Sequence, residues 1–411
     1  MHHSWLPEIW MASPFLALLI CIAILPATFP KFWHPLKNQA IVATLFSIPV
    51  IYLCLVHNLH ILIAGLEHYL SFVILLGSLF IVSGGICLKG DLPSTPLMNT
   101  FTLAVGGFLA NLIGTTGASI LLIRPMLSAN HYRKNHTHIP VFFIMIVSNI
   151  GGLLTPLGDP PLFLGYLLGV PFFWTLKLFP FWLFAMVILL ALFYIIDCLA
   201  IKNGGDTKPN TTSAAPIQFR GRRNIGCLLA VILAAFLPVP YREILMIVAA
   251  ITSLKITPKA YHDANGFNFY PILEVAILFL GIFITMAPAL EILYLKGPEL
   301  GITQPWQFFW ATGGFSAFLD NAPTYLTFVA LGQGLKLTGP HLNLPEVILT
   351  AISVSAVFFG AASYIGNAPN FMVRSIAQHS GWKMPSFFGY ILCTAGLLLP
   401  LFLIITLVFF R

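Results

Sequence analysis

Two carboxylates sit where acids are costly. Asp159 lies in Leu157-Gly158-Asp159-Pro160-Pro161 and Asp320 in Leu319-Asp320-Asn321-Ala322-Pro323, each a polar break inside an apolar stretch. A carboxylate in a membrane interior costs at least about 2.5–3.5 kcal/mol on insertion scales, so it faces a cavity and pairs with a cation or a proton. Carboxyl oxygens suit hard cations such as Na⁺, and an acid that holds a proton or a metal ion in turn is sufficient for exchange. Asp159 and Asp320 are thus candidate Na⁺ ligands, Na⁺ and H⁺ are the expected transported ions, and no resident cofactor is expected. Asn111, Asn149, Asn321, Asn367, Thr115, Thr116, Thr155 and Ser363 fall at or beside the same kind of break and are candidate lining groups. Glu274, at the start of an apolar run, is a candidate proton relay.

Each assignment has a plainer alternative. Asp159 and Asp320 could cap the half-helices that follow them; the Ser, Thr and Asn groups could glue membrane helices together; Glu274 could rest against a helix N-terminus. Arg124 and Arg374 close equivalent apolar segments, where cytoplasmic anchoring competes with anion binding. The histidines of His131-Tyr132-Arg133-Lys134-Asn135-His136-Thr137-His138 read as a solvated loop before they read as a pH sensor or metal site. Six cysteines without C-x-x-C spacing encode neither a disulfide framework nor a thiolate metal site.

The elements that must hold these residues are membrane helices. The 411 residues are 58% hydrophobic and only 8% charged, where a soluble domain carries about a quarter charged. That excludes a soluble globular enzyme, and the net charge of +7 fits cytoplasmic loops better than nucleic acid. Apolar runs of spanning length fall at 13–29, 38–56, 69–88, 176–200, 224–239, 241–257, 269–293 and 384–410. The first reads as a retained span, since no basic segment or small-residue cleavage site accompanies it. Trp residues, Trp5 and Trp10 among them, flank spans as interface anchors.

Four further stretches are interrupted. Re-entrant hairpins are expected at 96–129, broken at Gly114-Thr115-Thr116-Gly117, and at 305–335, because their second halves are short of a bilayer core of about 30 Å. Broken helices are expected at 139–170 and 345–378. Gly106-Gly107-Phe108 recurs as Gly313-Gly314-Phe315 at an offset of 207, and Gly158-Asp159 with Pro161 recurs as Gly366-Asn367 with Pro369 at 208. The chain therefore reads as a duplication: a first repeat over 1–202, a cytoplasmic linker over 203–223 and a second repeat over 224–411. Asn367 is the counterpart of Asp159, and Ile113 that of Asp320. Five crossings per repeat invert the second copy. With both termini periplasmic, fifteen Lys and Arg fall inside and five outside, the bias that the positive-inside rule requires. The fold expected is an all-α polytopic membrane protein with two inverted repeats, about ten transmembrane helices, two hairpins and two broken helices. Inverted repeats with unwound helices at mid-membrane suit secondary transport, and neither a membrane hydrolase nor a channel fits: no His lies in a broken segment and no His-Glu-x-x-His motif occurs.

The motifs Ser148-Asn149-Ile150-Gly151-Gly152 with Thr155 and Gly158-Asp159-Pro160-Pro161, Phe318-Leu319-Asp320-Asn321-Ala322-Pro323, and Gly366-Asn367-Ala368-Pro369-Asn370 resemble those of the ion transporter superfamily. The likeness is to D-type bacterial sodium/proton antiporters in particular, with arsenite permeases and citrate transporters as relatives. The resemblance implies a transport domain moving against a scaffold by an elevator-like mechanism, a homodimer in a bacterial inner membrane, and no enzymatic activity. Many relatives carry Asp-Asn in the first hairpin tip, whereas Ile113-Gly114-Thr115-Thr116 stands there, as in the Ser/Thr/Asn-rich tips of citrate transporters. Sodium/proton antiport is the first expectation, Na⁺- or H⁺-coupled carboxylate transport the second and arsenite extrusion the third. The partners expected are the bilayer, small ions or small carboxylates and no nucleic acid.

Overall fold

A computed structural model describes residues 7–90, 92–204 and 218–411. Trp5 and most of the expected linker, including Lys208, lie outside the described residues. The protein is an all-α polytopic membrane protein: seven helices of the described residues are long and apolar enough to cross a bilayer, and the bent pair Tyr241–Ile256 and Lys259–Asn265 adds a further candidate.

The first half comprises α1 (Ser13–Thr28), α2 (Pro30–Trp33), α3 (Leu36–His57), α4 (Leu59–Gly84), α5 (Pro96–Ala129), α6 (His138–Ile146), α7 (Pro160–Leu167) and α8 (Phe179–Gly204). α4 starts ten residues earlier than the hydropathy suggested, because only Asn58 separates it from α3 and no loop chemistry intervenes. It also stops earlier, at Gly84, and Cys87–Lys89 form a strand, β1. β1 pairs antiparallel with β2 (Gln218–Arg220), Cys87 opposite Arg220, so the end of the expected linker is partly strand.

The second half comprises α9 (Arg223–Ala234), α10 (Tyr241–Ile256), α11 (Lys259–Asn265), α12 (Tyr270–Lys296), α13 (Pro305–Phe318), α14 (Asn321–Gly334), α15 (Glu346–Phe359), α16 (Ala368–His379) and α17 (Phe387–Phe409). At 1.5 Å per residue, α9 reaches only about 18 Å, short of the span expected over 224–239. Pro238 and Pro240 lack the N–H that helix continuation needs. α11, unforeseen as a helix, leaves α10 at a bend of 102°.

The interrupted stretches break where glycine and proline concentrate. α5 runs through 34 residues with one non-helical residue, Gly114 (φ 76°, ψ 155°), a conformation open to glycine and strained for other residues. The first break is thus a single residue, and the helix resumes at Thr115. Between α6 and α7 and between α15 and α16 the chain unwinds into a 3₁₀ turn and an extended segment. α12 packs against α3, α4 and α14, and α13 against α15. The breaks themselves are buried, with Gly114, Thr115, Asp159, Asn321 and Asn367 all inside, which supplies the protein surroundings that unpaired backbone needs at membrane depth.

Candidate functional site

The site grows from two clips. Beyond Gly114, the Thr115 N–H donates to the Gly158 carbonyl at 2.8 Å; beyond Asp320, the Asn321 N–H donates to the Gly366 carbonyl at 3.2 Å. Each hairpin tip is thereby fastened to a glycine of a broken helix. At Gly158 a Cβ would stand 2.1 Å from the Gly152 carbonyl oxygen, so the turn closes only without a side chain. In these two contacts Asn321 stands as Thr115 does, so Asp320 stands as Gly114 does, one residue from the Ile113 that the offset of 207 pairs with it.

Asp159 occupies the centre. It stands at the N-cap of α7, but its side chain does not cap that helix. Its Oδ1 accepts from Thr115 Oγ1 and from Asn367 Nδ2, both at 2.9 Å, and its Oδ2 accepts from Asn321 Nδ2 at 2.5 Å. The capping alternative is excluded for Asp159, since all three donors come from other segments. One carboxylate ties both hairpin tips to the second broken helix. Four helix N-termini converge on it: those of the second half of α5, of α7, of α14 and of α16. Each presents the positive end of a helix dipole, while Pro160, Pro161, Pro323 and Pro369 supply no N–H and the Thr115, Asn321 and Ala322 N–H groups already donate within the protein.

Asp320 does cap its helix, with Oδ1 accepting from the Ala322 N–H at 3.0 Å. It is half-buried, while Asp159 is only 2% exposed. Asn321 is fully buried and its Oδ1 has no hydrogen-bond partner among the described residues. Behind this front stands a layer of amides. Asn367 Nδ2 also reaches Ser148 O and Asn149 Oδ1, both at 3.2 Å; Asn149 Nδ2 donates to Asn370 Oδ1 at 2.7 Å; Asn370 Nδ2 donates to Gly360 O at 2.7 Å and Ser363 O at 2.8 Å. Asn370 is the unforeseen member; the sequence signal was its place in the Gly366–Asn370 motif.

The candidates thus separate into two groups. Thr115, Thr116, Asp159, Asp320, Asn367 and Glu274 line one cavity of about 760 Å³, within the size range of small-molecule sites. Asn321 stands against it through Asp159. Asn111, Asn149, Thr155 and Ser363 lie behind it and hold the breaks: Asn111 Oδ1 accepts from the Leu154 N–H at 2.7 Å, Thr155 Oγ1 donates to Asn111 O, and Ser363 Oγ accepts from the Gly366 N–H at 3.1 Å. The opposite wall is α4 from Leu75 to Phe80 and α12 from Tyr270 to Ile282. Glu274 sits on that wall, its Oε1 accepting from Gln39 Nε2 at 2.6 Å. Arg124 also lines the cavity, on the face of α5 that carries Gly117 and Ile120, and its Nε donates to Asn265 O at 3.0 Å. Arg374 instead lies over the Tyr364 ring, 4.5 Å from its centroid.

A second polar cluster was missed. Asp197, fully buried in α8, accepts from Arg133 Nη1 at 2.5 Å, from Asn99 Nδ2 at 2.9 Å and contacts His138 Nε2 at 2.9 Å. His136 packs on Trp382 with ring centroids 4.1 Å apart. The expected solvated loop is therefore packed at its centre, with Arg133 only 5% exposed. The signal was a lone acid inside the apolar run of α8, where an unpaired charge would be costly.

Residues 4–410 match the family model described as "Putative citrate transport", and the chain belongs to that family, within the ion transporter and citrate transporter superfamily. None of the curated proteins matches the sequence.

Proposed function

We propose that this protein is a secondary transporter that carries a small carboxylate of the citrate class, coupled to Na⁺ or H⁺. The observation that carries this reading is Asp159, a single buried carboxylate at the meeting point of four helix N-termini, facing a cavity large enough for a small organic anion. Converging N-termini favour negative charge. Asp159 supplies one such charge, and a bound cation or proton on Asp159 and Asp320 frees the same N-termini for a substrate carboxylate. Asn321 Oδ1, buried and without a partner among the described residues, is an oxygen donor for that cation. Arg124 and the Thr116 hydroxyl offer the anion a fixed positive charge and a donor on the cavity wall. The order of expectations therefore changes: the family description and the Thr115-Thr116 tip favour carboxylate transport over cation exchange alone.

In this reading the chain is an inverted duplication of 1–202 and 224–411, in favour of which the two matched clips speak, with hairpins entering from opposite sides and, from the excess of Lys and Arg in one set of loops, both termini periplasmic in a bacterial inner membrane. In this reading the hairpins and broken helices move as one unit against α4 and α12, in a homodimer, with ions as cargo and no resident cofactor. The exposed residues Asn268, Gln378 and His379 line the cavity beside the loops where basic residues gather, so in this reading the state is inward-facing.

Sodium/proton antiport stands as the second reading, favoured by the three acids Asp159, Asp320 and Glu274 around one cavity. Proteoliposomes separate the two. Labelled citrate that accumulates under an imposed Na⁺ or H⁺ gradient supports carboxylate transport. Na⁺-driven proton movement reported by an internal pH probe, with no effect of citrate and no citrate uptake, supports antiport. Neither flux refutes both.

A further inference from the structure

Gln39, in the first turn of α3, is fully buried, and its amide is only half used. Its Nε2 donates twice, to Glu274 Oε1 at 2.6 Å and to Trp33 O at 3.0 Å. Its Oε1 is buried without a hydrogen-bond partner among the described residues. A buried acceptor left unpaired is costly and rare, and Glu274 supplies the missing donor when it is protonated. An ionised carboxylate only accepts, whereas a carboxylic acid accepts at one oxygen and donates from the other. An amide facing such an acid makes both bonds together, N–H to the carboxyl C=O and O–H to the amide oxygen. Gln39 is therefore a partner for either form of Glu274, and its full capacity is used only by the neutral one.

The pair stands where a proton can reach it and a substrate anion can feel it. Glu274 is half-buried, one turn of α12 beyond Tyr270, and both line the cavity together with His34. His34 is exposed; its Nδ1 stands 3.2 Å from the Tyr270 hydroxyl, which donates to the His34 carbonyl. These residues form a polar row from the exposed edge of the cavity inward to Glu274. Lys31 and Lys37, on the same stretch as His34, are exposed. The neighbouring wall is otherwise apolar, with Ile22 and Pro26 from α1 and Leu75 to Phe80 from α4; the Tyr69 hydroxyl of α4 is taken up by the Ala276 carbonyl at 2.8 Å. Across the cavity stand Arg124, Asp159, Asp320 and His379. Glu274 shares no hydrogen-bond partner with Asp159, whose donors are Thr115, Asn321 and Asn367.

Resting on the proposed transport function, we propose that Glu274 and Gln39 form a proton-binding site of their own on the α3–α12 wall, separate from the cation site at Asp159, and that the charge on Glu274 sets the cavity's affinity for the substrate carboxylate. Ionised Glu274 repels an anion in the cavity; the protonated acid, held by Gln39 on both sides, does not. Removing one unit charge from the wall changes the affinity for a facing anion by about tenfold or more at an effective dielectric of about 20. The tight state is present while Glu274 holds its proton and is lost as pH rises through its titration.

Glu274→Gln keeps the shape and makes both bonds of the protonated pair at every pH, so it mimics the neutral form. Citrate binding to the purified native protein and to this variant is measured from acid to alkaline pH. The titrations of citrate, Asp159 and Asp320 are common to both, so the ratio of the two Kd values isolates Glu274. The ratio is expected to be near one at acid pH, with the native protein weaker by at least about tenfold at alkaline pH. A ratio that does not change with pH overturns the proposal. Infrared difference spectra between acid and alkaline protein need no substrate. They are expected to contain a carboxylic-acid C=O band that is absent in Glu274→Gln and displaced in Gln39→Leu, which removes the amide and leaves the acid. No such band in the native protein, or one that either variant leaves in place, overturns the proposal. A protein that binds no citrate refutes the functional reading, while the infrared arm still decides whether the pair holds a proton.

Discussion

Asp159→Asn removes the central charge and retains the shape, and the hydrogen bonds around it fix the consequences. Oδ1 of the new amide still accepts from Thr115 and Asn367, but its N–H₂ now faces Asn321 Nδ2, which donates to Asp159 in the native protein. Rotation of the Asn321 amide by half a turn presents its unpartnered Oδ1 to the new donor. The charge-assisted bonds become neutral ones, a loss of about 1 kcal/mol at each of three. Against this, the variant no longer places a carboxylate at membrane depth, which recovers about 2.5–3.5 kcal/mol. The two nearly cancel, so the melting temperature in detergent is expected to stay close to that of the native protein. Cation binding does not share in the cancellation. Removing the negative member of a buried ion pair costs about 3–5 kcal/mol, which weakens the coupling cation by more than about 100-fold. The assay is citrate uptake into proteoliposomes against Na⁺ concentration and pH, beside thermal unfolding of the same preparation. Asp159→Ala, which takes the acceptor from the buried Thr115 hydroxyl and Asn321 amide, is expected to be destabilised where Asp159→Asn is not. An unchanged half-saturating cation concentration in a folded Asp159→Asn protein would refute the assignment of Asp159 to the coupling site.

Other expected outcomes rest on neighbouring geometry. Asp320→Asn keeps a good N-cap for α14, so its melting temperature should match the native value while cation-dependent uptake falls by at least about tenfold; equal loss of stability and uptake would make Asp320 a cap and nothing more. Arg124→Gln should raise the KM for citrate by about tenfold, the value of one charge-assisted contact, and leave the half-saturating cation concentration unchanged in the same uptake assay. Asp197→Asn leaves the buried Arg133 guanidinium without its counter-charge, a loss of about 3–5 kcal/mol that thermal unfolding should register, with any remaining uptake keeping its native cation dependence.

The sequence alone determined the solvent and the breaks. With 8% charged residues in 411, no arrangement of the chain could wet a soluble surface, so its long apolar runs had to be spans. Gly158, Pro160, Pro161 and Pro323 cannot continue a preceding helix or hold one comfortably, so the interruptions were legible from residue types. The motifs around Asp159, Asp320 and Asn367 also pointed to the breaks that the structure brings together around one cavity. What local sequence could not decide was where side chains pointed across the fold. Asp159 and Asp320 both stand at helix N-caps, and sequence offered the same capping role to each. Only the packing of the two hairpins sends the Asp159 carboxylate away to Thr115, Asn321 and Asn367 and leaves Asp320 on its own helix. Thr155 and Thr116 looked alike as lining groups, yet one holds a break and the other faces the cavity. Asp197 gave no motif, because its partners Arg133 and Asn99 lie 64 and 98 residues away. Backbone breaks arise from residue chemistry within a few positions, whereas a buried carboxylate takes its partners from segments that only tertiary packing brings within about 3 Å.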